Sequence, residues 1–195
     1  MRLVFVIFFL LLAKHSFAGD LMLEMELDRL SSTLYSEESS DAKLIRSSDI
    51  DPTHYFDARG LVATGQCQKA EKFFYQGIVE IQSRYGVHSR RQIPVVKLKL
   101  RCAVDQKSFL QIGKFLRFIV FLEQKDSGFD SEEAIRSITS LAQWYRSRKD
   151  YSGAISFYEE AIARVSKSKT LTDPMVLARL NRAADVTAFM MFAQE

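Results

Sequence analysis

The chain has 195 residues, with 27 basic and 24 acidic side chains, two cysteines and three prolines. So small a positive balance lacks the dense basic footprint that nucleic-acid binding needs. The length is enough for one domain with a real core.

Residues 1–18 read MRLVFVIFFLLLAKHSFA. Arg2 gives a basic start, Leu3 to Ala13 an apolar stretch, and Ser16 and Ala18 the small residues that a signal peptidase accepts. A signal peptide cleaved before Gly19 is expected; an uncleaved anchor is the competing reading. Lys14 and His15 end the apolar run well short of the roughly 20 residues that a membrane-spanning helix needs. The cleavage point lacks a cysteine, which argues against a lipoprotein, and no later stretch is apolar enough to span a membrane. The expectation is an exported protein without a membrane span after signal removal. Loss of Arg2 and Lys14 leaves 25 basic against 24 acidic residues. The periplasm is the expected compartment and the extracellular space the alternative. Asn181, the only asparagine, is followed by Arg-Ala, so no N-x-[ST] acceptor points to a glycoprotein.

Residues 19–50 form the next segment. Leu23, Leu27, Leu30 and Leu34 predict a helix over 20–35, although Leu21, Leu23, Met25 and Leu27 also alternate as in a strand. Residues 36–50 are rich in Ser and Asp and read as a loop or linker. From 51 to 195 the pattern is helical, with helices near 52–63, 67–84, 93–105, 108–124, 131–147, 151–166 and 174–191. Gly86, Gly128 and the stretch SKSKTLTD separate the pairs. FIVFL at 118–122 is apolar all round, which predicts that its helix is the most buried.

The clearest hairpin lies between 130 and 166. Ile135, Ile138, Leu141, Ala142 and Tyr145 share one face, with Asp130 and Glu133 fitting a capping box. After the turn RSRKD, Asp150 is the expected N-cap of a helix carrying Tyr151, Ala154, Ile155, Tyr158, Ala161, Ile162 and Val165 at helical spacing. Leu141, Ala142 and Tyr145, then Tyr151, Ala154, Tyr158 and Ala161, resemble the tetratricopeptide repeat (TPR). That family puts Leu, a small residue and an aromatic on its first helix. Its second helix carries alternating aromatic and small residues. Here Ala142 stands where the family has glycine, and Ile138 where it has tryptophan. Small residues let two helices approach and aromatics fill the space beside them.

One hairpin cannot bury its own core, so repeats are expected. A step of 42 residues finds them. It relates Pro52 to Pro94; Ala58, Leu100, Ala142 and Ala184; Ala70, Ile112 and Ala154; Phe74, Leu116 and Tyr158; and Cys67, Phe109 and Tyr151. Each proline stands at an expected helix start. Gly65 fits the first turn; the middle unit has no turn glycine and carries large aliphatics at its small positions. The period exceeds the family's usual 34. The fold class expected is all-α: antiparallel helical hairpins stacked as a short TPR-like right-handed superhelix of about three units plus a C-terminal helix.

Cys67 and Cys102 are a disulfide or two buried thiols by composition alone. The resemblance favours the bridge, because antiparallel neighbours bring the start of one helix beside the end of the next. His54 and His88 form no close ligand pair with a cysteine, which argues against zinc. Catalytic motifs are absent from the sequence, and the acid pairs Glu132/Glu133 and Glu159/Glu160 are adjacent, pointing to different sides of a helix. No enzyme activity, cofactor or metal is therefore expected. The resemblance implies a binding scaffold whose first helices line a concave groove. Carried over through the repeat, the groove positions are Tyr55 and Arg59, Lys97 and Arg101, Arg136, Gln143 and Arg146, and Asn181. Five are basic, which suits an acidic protein or peptide partner; an ordinary solvated helix face is the alternative. Phe189, Met190, Met191 and Phe192 either fold onto the preceding helices or form a second contact, such as a homodimer. A structural subunit of an envelope assembly, or an exported enzyme with an unfamiliar site, are the competing functions.

Overall fold

A computed structural model describes residues 21–34, 36–168 and 173–193. The expected leader at 1–18 lies outside the described residues. Among the described residues there are only helices and no strand. Helix α1 covers 21–34. It is followed by α2 (Glu38–Arg46), α3 (Thr53–Ala63), α4 (Cys67–Tyr85), α5 (Ile93–Asp105), α6 (Phe109–Ser127), α7 (Glu132–Ser147), α8 (Tyr151–Val165) and α9 (Pro174–Phe192). A 3₁₀ turn, Arg90–Gln92, leads into α5.

The 42-residue step is visible in the backbone itself. Helices α3, α5 and α7 end at Ala63, Asp105 and Ser147, and α4, α6 and α8 begin at Cys67, Phe109 and Tyr151. Each hairpin closes the same way. Gln66 N–H donates to the Leu61 carbonyl, Ser108 N–H to Ala103 and Asp150 N–H to Tyr145, at 2.8, 2.8 and 3.0 Å. These are the long bonds of a Schellman motif, which needs a left-handed residue just past the helix. That residue is Gly65, Lys107 and Lys149 in turn, with φ of 71, 51 and 61°. Two lysines thus hold a backbone conformation that glycine adopts at no steric cost. The turns between pairs repeat too: Gly86 and Gly128 have φ of 88 and 90°.

Each helix from α3 onward packs on the next, and α5 also reaches α2 and α3. Two apolar cores result. The smaller joins Ala42 and Ile45 of α2 with Tyr55, Ala58, Val62, Ala70 and Phe74. The larger runs through α5 to α9 and takes in Leu27 and Leu30 of α1. Helix α5 serves both: Val95, Leu98 and Cys102 face the smaller core, Val96, Leu100 and Val104 the larger. Burial on two sides makes α5 apolar over most of its circumference.

Several expectations change. The most buried helix is α5, ten of whose 13 residues are buried. In α6, Phe118 and Phe121 are only partly covered and stack on each other. Residues 36–50 are not simply a linker, since α2 occupies Glu38–Arg46. Ser131, not Asp130, caps α7, accepting from Ala134 N–H at 3.2 Å. Asp150 caps α8 as expected, accepting from Gly153 N–H at 2.9 Å. Cys67 and Cys102 are joined, with Cα atoms 5.8 Å apart. The bridge ties the start of α4 to the late part of α5, and so connects the helices of the smaller core.

The pairing of small residues with aromatics has a geometric cause. A Cβ built on Gly153 would lie 2.6 Å from Tyr145 Cδ1 and 2.9 Å from Asp150 Oδ1. The Tyr145 ring fills that gap and meets Phe157 at 5.1 Å between centroids. Ala142, Ala154 and Ala161 are fully buried where α7 and α8 meet.

Candidate functional site

The feature that organises the site is α1. Leu27 and Leu30 are buried in the larger core, and Leu23 and Leu34 pack partly against it. Leu30 and Leu34 line a cavity of about 220 Å³ with Leu100, Leu116, Ile119, Ser137 and Ser140, which places α1 across the face of α5 and α7. Polar pairs fix its direction. Lys107 Nζ, in the turn after α5, donates to Glu24 Oε1 at 2.6 Å. Lys97 Nζ, near the start of α5, lies 2.7 Å from Glu37 Oε2 and 3.0 Å from Asp41 Oδ1. The beginning of α1 is thus at the end of α5, and the two run antiparallel.

Lys97 shows the electrostatic logic of this contact. Burial by itself would lower its pKa, but Asp41 and Glu37 outweigh that cost and the net direction is upward. The charge is held in place by two acids from the N-terminal segment. Around it a cavity of about 380 Å³ is lined by Glu37, Asp41, Arg90, Lys97, Glu123 and Arg136 among others. Burial pushes the Glu123 carboxyl up; Arg90 and Lys97 oppose this, while Glu133 and Asp126 add to it. Arg90 Nε is 3.6 Å from Glu123 Oε2, too long for a strong charge-assisted bond.

A third cavity, of about 570 Å³, opens between α1, α7 and α9. Arg29, Arg136, Thr139, Gln143, Tyr158 and Arg179 are among its walls. The Tyr158 hydroxyl has no hydrogen-bond partner among the described residues. Burial raises its pKa, Arg146 and Arg29 act in the opposite direction, and Glu26 adds to the rise. Glu26, although buried, has its own counter-ion on the same helix: Arg29 donates to it through Nε and Nη2 at 2.9 and 2.6 Å.

The residues expected to face a groove divide into three groups. Lys97, Arg136 and Gln143 line these neighbouring cavities beside α1, which share Arg136 as a wall. Arg136 also pairs with Glu132 one turn away, at 2.6 Å. Tyr55 and Arg101 are not open at all: each is buried, Tyr55 in the smaller core and Arg101 near Asp105, whose carboxyl it helps to keep charged against burial. Arg59 and Arg146 are half-buried, Arg146 with its Nε sealed from solvent, and Asn181 is exposed on α9. The acids Glu24, Glu37 and Asp41 were missed as site residues. Glu24 lies on the amphipathic helix expected at 20–35, whereas Glu37 and Asp41 lie in the stretch read as a linker, which hid them.

Away from α1, a hollow of about 540 Å³ between α3 and α4 is lined by Asp57, Leu61, Gln68, Lys69, Lys72 and Phe73 and holds none of the expected residues. On α9, Phe189 and Phe192 stand 74% and 67% exposed, and Met190 and Met191 are half-buried. Among the described residues no cluster of three His, Cys, Asp or Glu side chains is arranged for a metal ion, and no helix is long and apolar enough to cross a membrane. Comparison with protein-family models, with characterised proteins and with solved structures finds no match to this chain.

Proposed function

We propose that this chain is an exported, TPR-like scaffold without catalytic activity or cofactor, which holds a segment of a partner protein in the groove formed by its repeats. The periplasm is the compartment we favour over the extracellular space, and the disulfide between Cys67 and Cys102 is in keeping with either. One observation carries the reading. The face of α5 and α7 receives a separate amphipathic helix, α1, through apolar contacts, with Lys107 paired to Glu24 near its start and Lys97 paired to Glu37 just past its end. A surface that accepts such a helix from its own chain has the shape and charge to accept one from another protein.

The test is affinity capture from the exported fraction of the cells that make the protein. The bait is the wild-type chain or a Lys107→Glu/Arg136→Glu variant. Both residues are exposed, and circular dichroism of the two baits checks that the variant is folded. Arg101, which is buried, and Arg146, whose Nε is sealed from solvent, are unsuitable, because reversing either charge tests stability instead of binding. A groove interaction gives a partner whose recovery falls about tenfold in the variant, the effect of losing roughly 1.4 kcal/mol. Equal recovery by two folded baits refutes it. A second reading, a structural subunit that docks through α9, is favoured by the exposure of Phe189 and Phe192. It predicts that Phe189→Ser/Phe192→Ser abolishes recovery while the charge variant does not.

A further inference from the structure

Resting on the reading of this face as a binding groove, we propose that α1 is a displaceable occupant. It stands in for an acidic amphipathic helix of a partner, and the two compete for the face of α5 and α7. The chemistry of the competitor is written in α1. Leu23, Leu27, Leu30 and Leu34 supply the apolar positions, and Glu24 reaches Lys107 at one end of the seat; Lys97 at the other end is held by Glu37 and Asp41, which cap and begin α2 and stay in place. The partner helix should therefore carry apolar residues at i, i+4, i+7 and i+11 with an acid in its first turn.

Three observations indicate that α1 can leave. First, it does not fill its seat: cavities of about 220 and 570 Å³ remain along it. Second, its departure strands no ion. Buried Glu26 takes Arg29 with it, and Lys97 keeps Asp41, which belongs to α2 and is anchored separately through Ala42 and Ile45. Third, the Lys107–Glu24 pair is solvent-exposed and so holds α1 weakly, while Leu21 and Met25 on its outer side touch water. A tethered helix has a high effective concentration, so it lowers the apparent affinity of any incoming helix by the fraction of time the seat is open.

The probe is a fluorescent synthetic peptide of residues 21–34, followed by anisotropy on the wild-type protein and on a Leu27→Asp/Leu30→Asp protein. The variant should bind the peptide at least tenfold more tightly than wild type. In the wild-type protein, excess peptide should speed hydrogen exchange in residues 21–34 and leave α3 and α4 unchanged. If both proteins bind the peptide equally, the competition is overturned while the groove reading survives. If neither binds, both are overturned. Should the double variant lose helix content, Glu24→Lys carries the same test, with a gain of about threefold. Sedimentation separates the remaining source of a competing helix. A wild-type dimer that the peptide dissolves would assign the competitor to a second copy and overturn the partner assignment; a monomer at all concentrations supports it.

Discussion

Reduction of the Cys67–Cys102 bridge should destabilise the protein by about 3–4 kcal/mol. The magnitude follows from the loop: the two residues are 35 apart in sequence. In the chain-entropy model, closing a loop of that length removes about 13 cal/mol/K from the unfolded chain, or about 4 kcal/mol at 25 °C. For a domain of this size that corresponds to a drop in Tm of about 6–15 °C. The bridge also ties α4 to α5, so its loss should loosen the α3–α4 pair before the larger core melts. The assay is urea unfolding of one preparation with and without reductant, followed by far-ultraviolet circular dichroism. Using the same chain avoids the added cost of placing serine at two buried sites. Thiol labelling of the unreduced, denatured protein supplies the control. Two free thiols per chain, or a stability change below about 1 kcal/mol on reduction, would refute the reasoning.

Gly153→Ala should destabilise by about 1–2 kcal/mol, because the overpacking against Tyr145 and Asp150 outweighs alanine's better helix propensity; a rise in Tm would show that the α7–α8 contact is not that close. Glu123→Gln should change the pH dependence of stability. Burial raises the folded-state pKa of Glu123 above the ordinary carboxyl value of 4.5, so the folded chain binds this proton more readily than the unfolded one. Stability from this group is then present below about pH 4.5 and lost as pH rises through the folded pKa. Measured against Glu123→Gln, the wild-type protein should gain stability as pH falls from 7 toward 4; a relative loss would reverse the assignment.

Helix positions from α3 to α9 were legible because the same burial pattern recurs every 42 residues, and buried positions such as Ala70, Ile112 and Ala154 dictate the apolar spacing. Helix α2 was not legible. Its sequence ESSDAKLIR is mostly polar, and only tertiary contact explains why Ala42 and Ile45 are buried. The two-sided burial of α5 was hidden for the related reason that periodicity reports one apolar face well and two poorly. The site was half legible. Lys97, Arg136 and Gln143 do line neighbouring cavities, whereas Tyr55 joins the core that α2 completes. Repeat phase says which side a residue points to. It does not say that another segment of the same chain already covers that side.

Both groove binding and displacement require α1 to lie antiparallel to α5 in its own chain. Carbodiimide cross-linking of the disulfide-intact monomer tests this most directly, since it joins an ammonium to a carboxylate only where they are in contact. The Lys99–Glu71 pair between α5 and α4, at 3.4 Å, serves as the internal control. Digestion and mass spectrometry should recover isopeptide links from Lys107 to Glu24 and from Lys97 to Glu37 or Asp41 within one monomer. Recovery of the control link with none from Lys107 to Glu24 would contradict the account.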